Sequence, residues 1–207
     1  MLNFVLTKKK IMITIVDFGD INSKEVAEVL SKLTNKYIVS SNEAEICRAD
    51  KIIFPGSDSA KNVMKKIHLL NFFSVLRIII DKPILGIGLG MQIMCEHTSE
   101  GNLSCLGIFP GNVVKFENSE QNAVHKGIDK VDLIKDCPIF KDIPDKSGFY
   151  FNHSYYLPLS DYTVAKSRKD KIEFTSVIQK NLCFGVQFHP EKSGEVGLKL
   201  LENFIKL

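Results

Sequence analysis

Runs of apolar residues alternate with segments of helical periodicity along the first half of the chain. The apolar runs at 11–16 and 51–54 predict buried strands, 37–40 predicts a short strand, and 78–85 predicts the central strand with a loop at 81–83. Apolar residues spaced three or four apart predict helices over 22–33, 59–76 and 90–97. We expect Asn22 to cap the first helix. The alternation predicts an α/β fold with a mainly parallel central sheet and flanking helices.

The second half has a different pattern, with short apolar runs separated by polar turns. These runs predict strands at 113–116, 131–134, 148–151, 162–165, 174–178 and 183–188. One further helix is predicted at 194–206, where apolar residues again recur at helical spacing. We expect this half to add antiparallel strands to the same domain, so that a single domain covers 1–207, with residues 1–10 as an N-terminal extension.

Composition and charge narrow the class of protein. The 207 residues are 44% hydrophobic and 25% charged, as in an ordinary globular protein, and the net charge of +3 gives no indication of nucleic acid. No apolar run approaches the ~20 residues that span a bilayer. The five cysteines are odd in number and none is spaced as CxxC, so we expect neither a disulfide framework nor a zinc site. We therefore expect a cytoplasmic protein without cofactor or metal that binds neither nucleic acid nor membrane.

A glycine-rich turn at 86–90 follows one apolar run and precedes a helix-forming run. Such a strand–turn–helix elbow places its apex residue at the carboxyl end of the sheet, with φ above zero, where nucleophiles are often mounted. Amides at the start of the following helix are able to stabilise an oxyanion there. The apex is Gly88, which has no side chain. Two other interpretations stay open on this stretch alone: a plain packing turn, or a phosphate loop that lacks the GxGxxG spacing.

Three further clusters follow predicted strands. His189 and Glu191 are two residues apart, so in an extended segment they point the same way, which suits a base oriented by a carboxylate. A structural turn is the alternative for this pair. The other two clusters, at 55–57 and 152–155, are weak signals when taken alone.

Taken together and in this order, the segments Pro55-Gly56, Gly86–Gln92, His153-Ser154-Tyr155 and Gly185–Ser193 resemble the class I glutamine amidotransferases over nearly the whole chain. Within that class the sequence is most similar to the glutaminase subunit of imidazole glycerol phosphate synthase. The length, the segment 105–109 after the elbow helix and the His-Pro-Glu-Lys-Ser ending fit that subunit.

The resemblance implies a reaction and a set of site residues. In the family, a cysteine thiolate at the elbow attacks the side-chain amide of glutamine; the matching position here is Gly88, while His189 matches the base and acid and Glu191 its orienting group. The positions that match the family's substrate contacts are Gly56, Ser57, Gln92, Glu100, His153, Ser154 and Tyr155. The resemblance also implies a partner, a (βα)₈-barrel synthase of histidine biosynthesis that uses the released ammonia, with Lys192, His125 and Lys126 at the interface.

Departures from the family pattern affect the expected activity. Without a thiol at Gly88 no thioester forms, and Cys95 lies two helical turns, or roughly 10 Å, further along. We therefore expect no glutaminase activity from this chain, while the fold survives because glycine suits an elbow with positive φ. Asp58 replaces a glycine of the family, and the family's His-Met-Gly-Trp-Asn segment reads His-Lys-Gly-Ile-Asp at 125–129.

Several hypotheses therefore remain open at the level of function. The chain is a glutaminase-type subunit that has lost its nucleophile, either as a naturally diverged paralogue, which three concerted departures favour, or through a substitution in an active subunit. The rival is a non-catalytic protein that binds glutamine or a barrel partner and regulates that partner. A paralogue that serves an amidation in surface-sugar synthesis is a third possibility.

Overall fold

The computed structural model describes residues 11–19, 21–56, 58–69, 72–116 and 124–207. The predicted N-terminal extension at 1–10 and the predicted site residue Ser57 lie outside the described residues. The helices are α1 (Asn22–Leu30), α2 (Glu43–Arg48), α3 (Ala60–Leu69), α4 (Phe72–Ile78), α5 (Leu89–Ile93) and α6 (Gly194–Lys206), with 3-10 turns at Ile79–Asp81, Pro138–Phe140 and Pro190–Lys192. The strands are β1 (Ile13–Val16), β2 (Tyr37–Ser40), β3 (Lys51–Phe54), β4 (Ile84–Ile87), β5 (His97–Thr98), β6 (Leu103–Ser104), β7 (Asn112–Lys115), β8 (His125–Lys130), β9 (Asp132–Leu133), β10 (Gly148–His153), β11 (Tyr155–Tyr156), β12 (Thr163–Lys169), β13 (Ile172–Lys180) and β14 (Cys183–Val186).

The central sheet has the order β2-β1-β3-β4-β14-β13-β12-β9 in the described part of the chain. The strands from β2 to β14 pair in parallel, and β13, β12 and β9 then extend the sheet in antiparallel fashion. The predicted α/β fold, a mainly parallel sheet with flanking helices and added antiparallel strands, is confirmed.

Helices cover both faces of this sheet, which explains why β1, β3, β4 and β14 are buried along their whole length. Val26 of α1 and Phe204 of α6 belong to the core on one face. Ile67 of α3 and Met91 of α5 belong to the core on the other. The apolar residues that recur at helical spacing in the sequence form the face that each of these helices packs against the sheet.

Two smaller sheets lie beside the parallel strands. One pairs β10 with β8, and the other has the order β11-β7-β5-β6. The first is tied to the end of β14, because the His189 amide donates to the Tyr150 carbonyl at 2.8 Å and the Tyr150 amide donates to Ser193 Oγ at 3.0 Å. These links bring residues 152–155 to the carboxyl edge of the central sheet.

The structure corrects four predicted elements. Residues 72–78 are helix α4, and the strand begins only at Ile84, after the Lys82-Pro83 break. The elbow helix ends at Ile93 rather than at 97. It ends there because amides of the 106–109 loop donate to the carbonyls at its end; the Met94 carbonyl, for example, accepts from Ile108 N and Phe109 N. Residues 43–48, for which the sequence pattern predicts no helix, form α2, which Asn42 caps. Asn22 does not cap α1; it lies inside the helix, and its side chain bonds elsewhere.

No helix in the described ranges is long and apolar enough to cross a membrane.

Candidate active site

Three neighbouring parallel strands end at the same edge of the sheet, and each is followed by a predicted site residue. Gly56 follows β3, Gly88 follows β4, and His189 follows β14. Because β3, β4 and β14 are adjacent in the sheet, residues far apart in sequence meet at one place.

The turn at Gly88 has the predicted elbow conformation. Gly88 has φ 58° and ψ −116°, a region that favours glycine, and its amide donates to the Val186 carbonyl at 2.8 Å. The helix behind it packs directly on β3: a Cβ built on Gly90 would lie 1.9 Å from the Phe54 carbonyl oxygen. The glycine-rich turn therefore permits both the positive φ at the apex and the close approach of the helix.

The apex faces the imidazole of His189. A Cβ built on Gly88 would lie 3.0 Å from His189 Cε1, 3.2 Å from His189 Nε2 and 3.1 Å from the Gly56 carbonyl oxygen. Any side chain mounted at position 88 would therefore start in contact with the ring of the predicted base.

His189 is held in one tautomer by Glu191. Its Nδ1 lies 2.7 Å from Glu191 Oε1, and both side chains are buried. Because a carboxylate only accepts, Nδ1 carries the proton, and when the ring is neutral Nε2 is left as an acceptor that faces the apex. This is the arrangement that the sequence spacing predicted for the pair.

One contact at this site was missed from the sequence. Asn22, fully buried in the first turn of α1, donates through Nδ2 to Glu191 Oε1 at 2.9 Å. Its separation of 169 residues from Glu191 leaves no local sequence signal. The only available hint was a polar residue on the buried face of a helix, which was assigned to a cap instead.

A cavity of about 300 Å³ opens beside His189. Its lining contains seven of the predicted site residues: Gly56, Gln92, Glu100, His153, Ser154, Tyr155 and His189. Asp58, Leu89, Val124, Asn152 and Gln187 complete it. Of these, Gln187 was not singled out from the sequence, although it directly precedes the Phe-His-Pro-Glu segment.

Gln92 presents an acceptor to this cavity. Both hydrogens of its Nε2 are used internally, in bonds to the Tyr155 carbonyl at 2.8 Å and to Gln187 Oε1 at 2.9 Å. Oε1 is therefore the atom left for a ligand, and it suits a donor such as an amide or an ammonium group.

One part of the cavity wall is acidic, because Glu100 and Asp58 both line the cavity and Asp58 acts electrostatically on Glu100. Burial raises the pKa of Glu100, the Ala60 amide opposes this by donating to Oε1 at 3.2 Å, and Asp58 raises it further. The carboxylate of Asp58 accepts from Ser59 N at 2.8 Å and from Asn62 Nδ2, so this departure from the family pattern also serves the start of α3. Two carboxylates on one wall favour a positively charged group of a ligand.

His153 and His125 form a bonded pair in the wall. The Tyr155 carbonyl accepts from His153 Nδ1 at 2.7 Å, so His153 Nε2 accepts from His125 Nδ1 at 3.0 Å. Burial lowers the pKa of His153 to about 3, which keeps its ring neutral. Burial also lowers the pKa of His125, while Asp129, 3.1 Å from His125 Nε2, opposes that effect.

The three residues predicted at a partner interface lie at different depths. Lys126 is exposed, and Lys192 is exposed and paired with Glu25 at 2.9 Å. His125 is buried and turned toward His153, so its side chain supports the cavity wall. Contact with a partner stays a prediction for all three.

The backbone donors at the elbow are engaged. The Leu89 amide, at the start of α5, donates to the Gly56 carbonyl at 3.2 Å. The expectation that this amide serves an oxyanion therefore requires the Gly56 carbonyl to move away first. Among the described residues, no group of three or more His, Cys, Asp or Glu is placed to hold a metal ion.

The chain belongs to the class I glutamine amidotransferases, since the model of that family matches residues 14–207. It is 41% identical over 199 residues to the imidazole glycerol phosphate synthase subunit HisH of Methanocaldococcus jannaschii, covering 95% of this chain and 100% of that relative. It is 38% identical over 201 residues to subunit HisH 1 of the same synthase in Campylobacter jejuni, with 95% and 100% covered. The resemblance read from the sequence is confirmed.

Solved structures agree on the fold. A putative GMP synthase subunit from Thermoplasma acidophilum superposes with a TM-score of 0.72 at 21% identity, covering 96% of this chain and 94% of that one. A structure described as a glutamine amidotransferase matches with a TM-score of 0.72 at 14% identity, with 94% and 97% covered. At such identities the likeness concerns the fold alone.

Proposed function

We propose that this chain is the glutaminase-type subunit of an imidazole glycerol phosphate synthase, or a close paralogue, that retains the glutamine site but does not hydrolyse glutamine. The observation that carries the proposal is the elbow apex. Gly88 has the backbone conformation of a nucleophile position and faces a His–Glu pair, yet it offers no nucleophilic atom.

The cavity chemistry supports glutamine as the ligand. The acidic wall of Glu100 and Asp58 suits an α-ammonium group, and Gln92 Oε1 suits a donor. With a thiol at position 88, His189 Nε2 would accept its proton, and the thiolate would add to the side-chain carbonyl carbon of glutamine. Ammonia would leave with a proton from His189, and water would then cleave the thioester to glutamate and the free thiol.

Among the described residues, we expect no other group near the apex to replace that thiol. Cys95 is buried beyond the end of α5, and its Sγ donates to the Met91 carbonyl. Burial raises the pKa of the Cys95 thiol far above its ordinary value, so it stays protonated. Loss of a nucleophile costs several orders of magnitude in rate.

The test restores the thiol with Gly88→Cys and measures glutamate and ammonia release from glutamine, with and without a candidate barrel subunit. Gly88→Ala is the matched control, since it adds the same Cβ without a nucleophile. We expect release only from Gly88→Cys. Activity of the unaltered chain would contradict the proposal, and so would silence of Gly88→Cys in the presence of the barrel subunit.

A second function, regulation of an ammonia-using partner through glutamine binding alone, is favoured by the intact cavity beside an apex without a nucleophile. Calorimetric titration of the unaltered chain with glutamine tests it. Binding without turnover is the expected result, and absence of binding would remove both this function and the retained glutamine site.

A further inference from the structure

The His189–Glu191 pair has a third member, supplied by a different part of the chain. Asn22 Nδ2 and His189 Nδ1 donate to the same atom, Glu191 Oε1, at 2.9 Å and 2.7 Å. An oxygen of a carboxylate has two lone pairs in its plane, so two donors on one oxygen fix both the position and the plane of the carboxylate.

The other oxygen does not contribute to holding the group in place. Glu191 Oε2 is buried and has no hydrogen-bond partner in the described part of the chain. Rotation of the carboxylate is therefore opposed only by the two bonds at Oε1 and by packing. Of those two, the bond from Asn22 is the one that does not involve the reacting base.

The second polar atom of Asn22 argues against a purely structural role. Asn22 Oδ1 is also buried without a partner among the described residues, and a buried polar atom without a hydrogen bond is destabilising. Asn203 shows the contrast, since its Nδ2 donates to two main-chain carbonyls, Ile139 O and Lys141 O, and joins separate segments. The amide of Asn22 makes its hydrogen bond only toward the catalytic pair.

The helix that carries Asn22 is firmly seated. Val26 and Leu30 of α1 are fully buried in the core beneath the sheet. A donor on such an element keeps its place when loops around the cavity move.

We propose that Asn22 is a positioning residue that orients His189 through Glu191. Its consequence for catalysis rests on the proposed function, whereas its effect on the His189–Glu191 bond does not. The geometry is that of a relay, in which α1 fixes the carboxylate, the carboxylate fixes the Nδ1–H tautomer, and Nε2 is thereby aimed at position 88.

Two variants of the full chain test this, Asn22→Ala and Asn22→Leu; the first removes the amide, and the second keeps the branching at Cγ but replaces the polar ends with methyl groups. The first readout is the low-field proton resonance of His189 Nδ1 in histidine-labelled protein. We expect it to be lost through exchange with water in both variants. Asn203→Ala is the control, because it removes a buried asparagine amide without touching Glu191, and it should keep the resonance.

The second readout uses the Gly88→Cys background. There we expect either Asn22 change to lower kcat roughly ten- to a hundredfold with KM for glutamine unchanged, as for other groups that orient a reacting residue. An unchanged His189 resonance in both variants would overturn the inference whatever the activity, as would a loss carried by KM alone. If Gly88→Cys is inactive but the resonance is lost as expected, the proposed function fails and the positioning role of Asn22 stands.

Discussion

At the level of single residues, Gly88 combines an unusual backbone conformation with a crowded surrounding. Its φ of 58° excludes most L-residues, and an added Cβ would lie 3.0–3.2 Å from His189 and the Gly56 carbonyl. An enzyme with a nucleophile at this position therefore accepts strain that glycine avoids. Glycine at position 88 therefore accounts both for the missing nucleophile and for a positive φ that is adopted without strain.

We expect Gly88→Ala and Gly88→Cys each to lower the free energy of unfolding by about 1–2 kcal/mol, because both place a Cβ in the left-handed region. Urea denaturation of the three chains measures this directly. Equal losses in the two variants would assign the cost to the Cβ. If both variants were as stable as the parent, the elbow would have relaxed to another conformation.

His153 makes stability depend on pH. Its pKa in the folded chain is about 3, against 6.5 for an ordinary histidine, so in between the unfolded chain binds a proton that the folded chain does not. Above pH 6.5, His153 therefore does not lower the free energy of unfolding. Below that pH, the free energy of unfolding falls as the pH drops, by up to about 1.4 kcal/mol per pH unit.

We expect His153→Gln to remove this part of the acid sensitivity. The measurement is urea denaturation of both chains at several pH values from 7.5 down to 5, a range chosen as roughly that in which ordinary carboxyl groups stay ionised. Parallel pH curves for the two chains would contradict the assignment. Glutamine retains hydrogen-bonding capacity toward the Tyr155 carbonyl, which limits other effects of the change.

At the level of elements, the elbow depends on contact between α5 and the end of β3. A Cβ on Gly90 would lie 1.9 Å from the Phe54 carbonyl oxygen and 2.8 Å from its carbon, both main-chain atoms. Neither can move without shifting the strand itself. The helix therefore sits closer to the sheet than any other residue would allow.

We expect Gly90→Ala to cost more than about 3 kcal/mol, since it forces α5 off the strand end. Gly107→Ala is the control. Gly107 has φ 66° but no heavy atom within 4 Å of an added Cβ, so its substitution measures the conformational cost alone, about 1 kcal/mol. Thermal or urea unfolding compares them, and similar losses at both positions would show that α5 yields easily.

Elements whose local pattern agrees with their surroundings were predictable from the sequence. The strand at 51–54 and the helix at 194–206 are examples, because each apolar pattern matches the face that the structure buries. The run at 78–85 failed because its β-branched residues read as a strand while α4 and a 3-10 turn take residues 72–81. The end of α5 failed because distant amides of the 106–109 loop terminate it.

The candidate site divides in the same way. His189, Glu191 and the elbow were predictable because each follows a strand and the strands are parallel neighbours. Asn22 was not, since its partner is 169 residues away and depends on how α1 packs beneath the sheet. The inward orientation of the His125 side chain likewise depends on the register between β8 and β10, which places His125 opposite His153.

At the level of the whole molecule, the cavity is lined by elements that are far apart in the sequence. The carboxyl ends of β3 and β14, the helix α5 and the segment 152–155 of the smaller sheets all contribute to its lining. A ligand that fills this cavity would contact each of them. Binding should therefore stabilise the chain as a unit, by RT ln(1 + [L]/Kd).

We expect Glu100 to decide how strongly the α-ammonium group of a ligand binds in this cavity and at which pH. A cation needs the ionised carboxylate, and burial raises the pKa of Glu100 above its ordinary 4.5. The affinity for the ammonium group is therefore highest above that raised pKa and falls as the pH drops through it. This loss begins at a higher pH than it would with an ordinary carboxyl group. We expect Glu100→Gln to weaken glutamine binding roughly ten- to a hundredfold, the worth of one hydrogen bond to a charged group, and to abolish this pH dependence.

The measurement is the shift in unfolding temperature with increasing glutamine at several pH values, for the parent chain and the variant. Glu96→Gln is the matched control, since Glu96 also accepts a main-chain amide, Gly111 N at 2.9 Å, but lies outside the cavity lining. A shift that survives Glu100→Gln, or that disappears equally in Glu96→Gln, would place the ammonium group elsewhere. A shift that is lost only in Glu100→Gln would tie recognition of the ligand to the acidic wall, independently of any nucleophile at position 88.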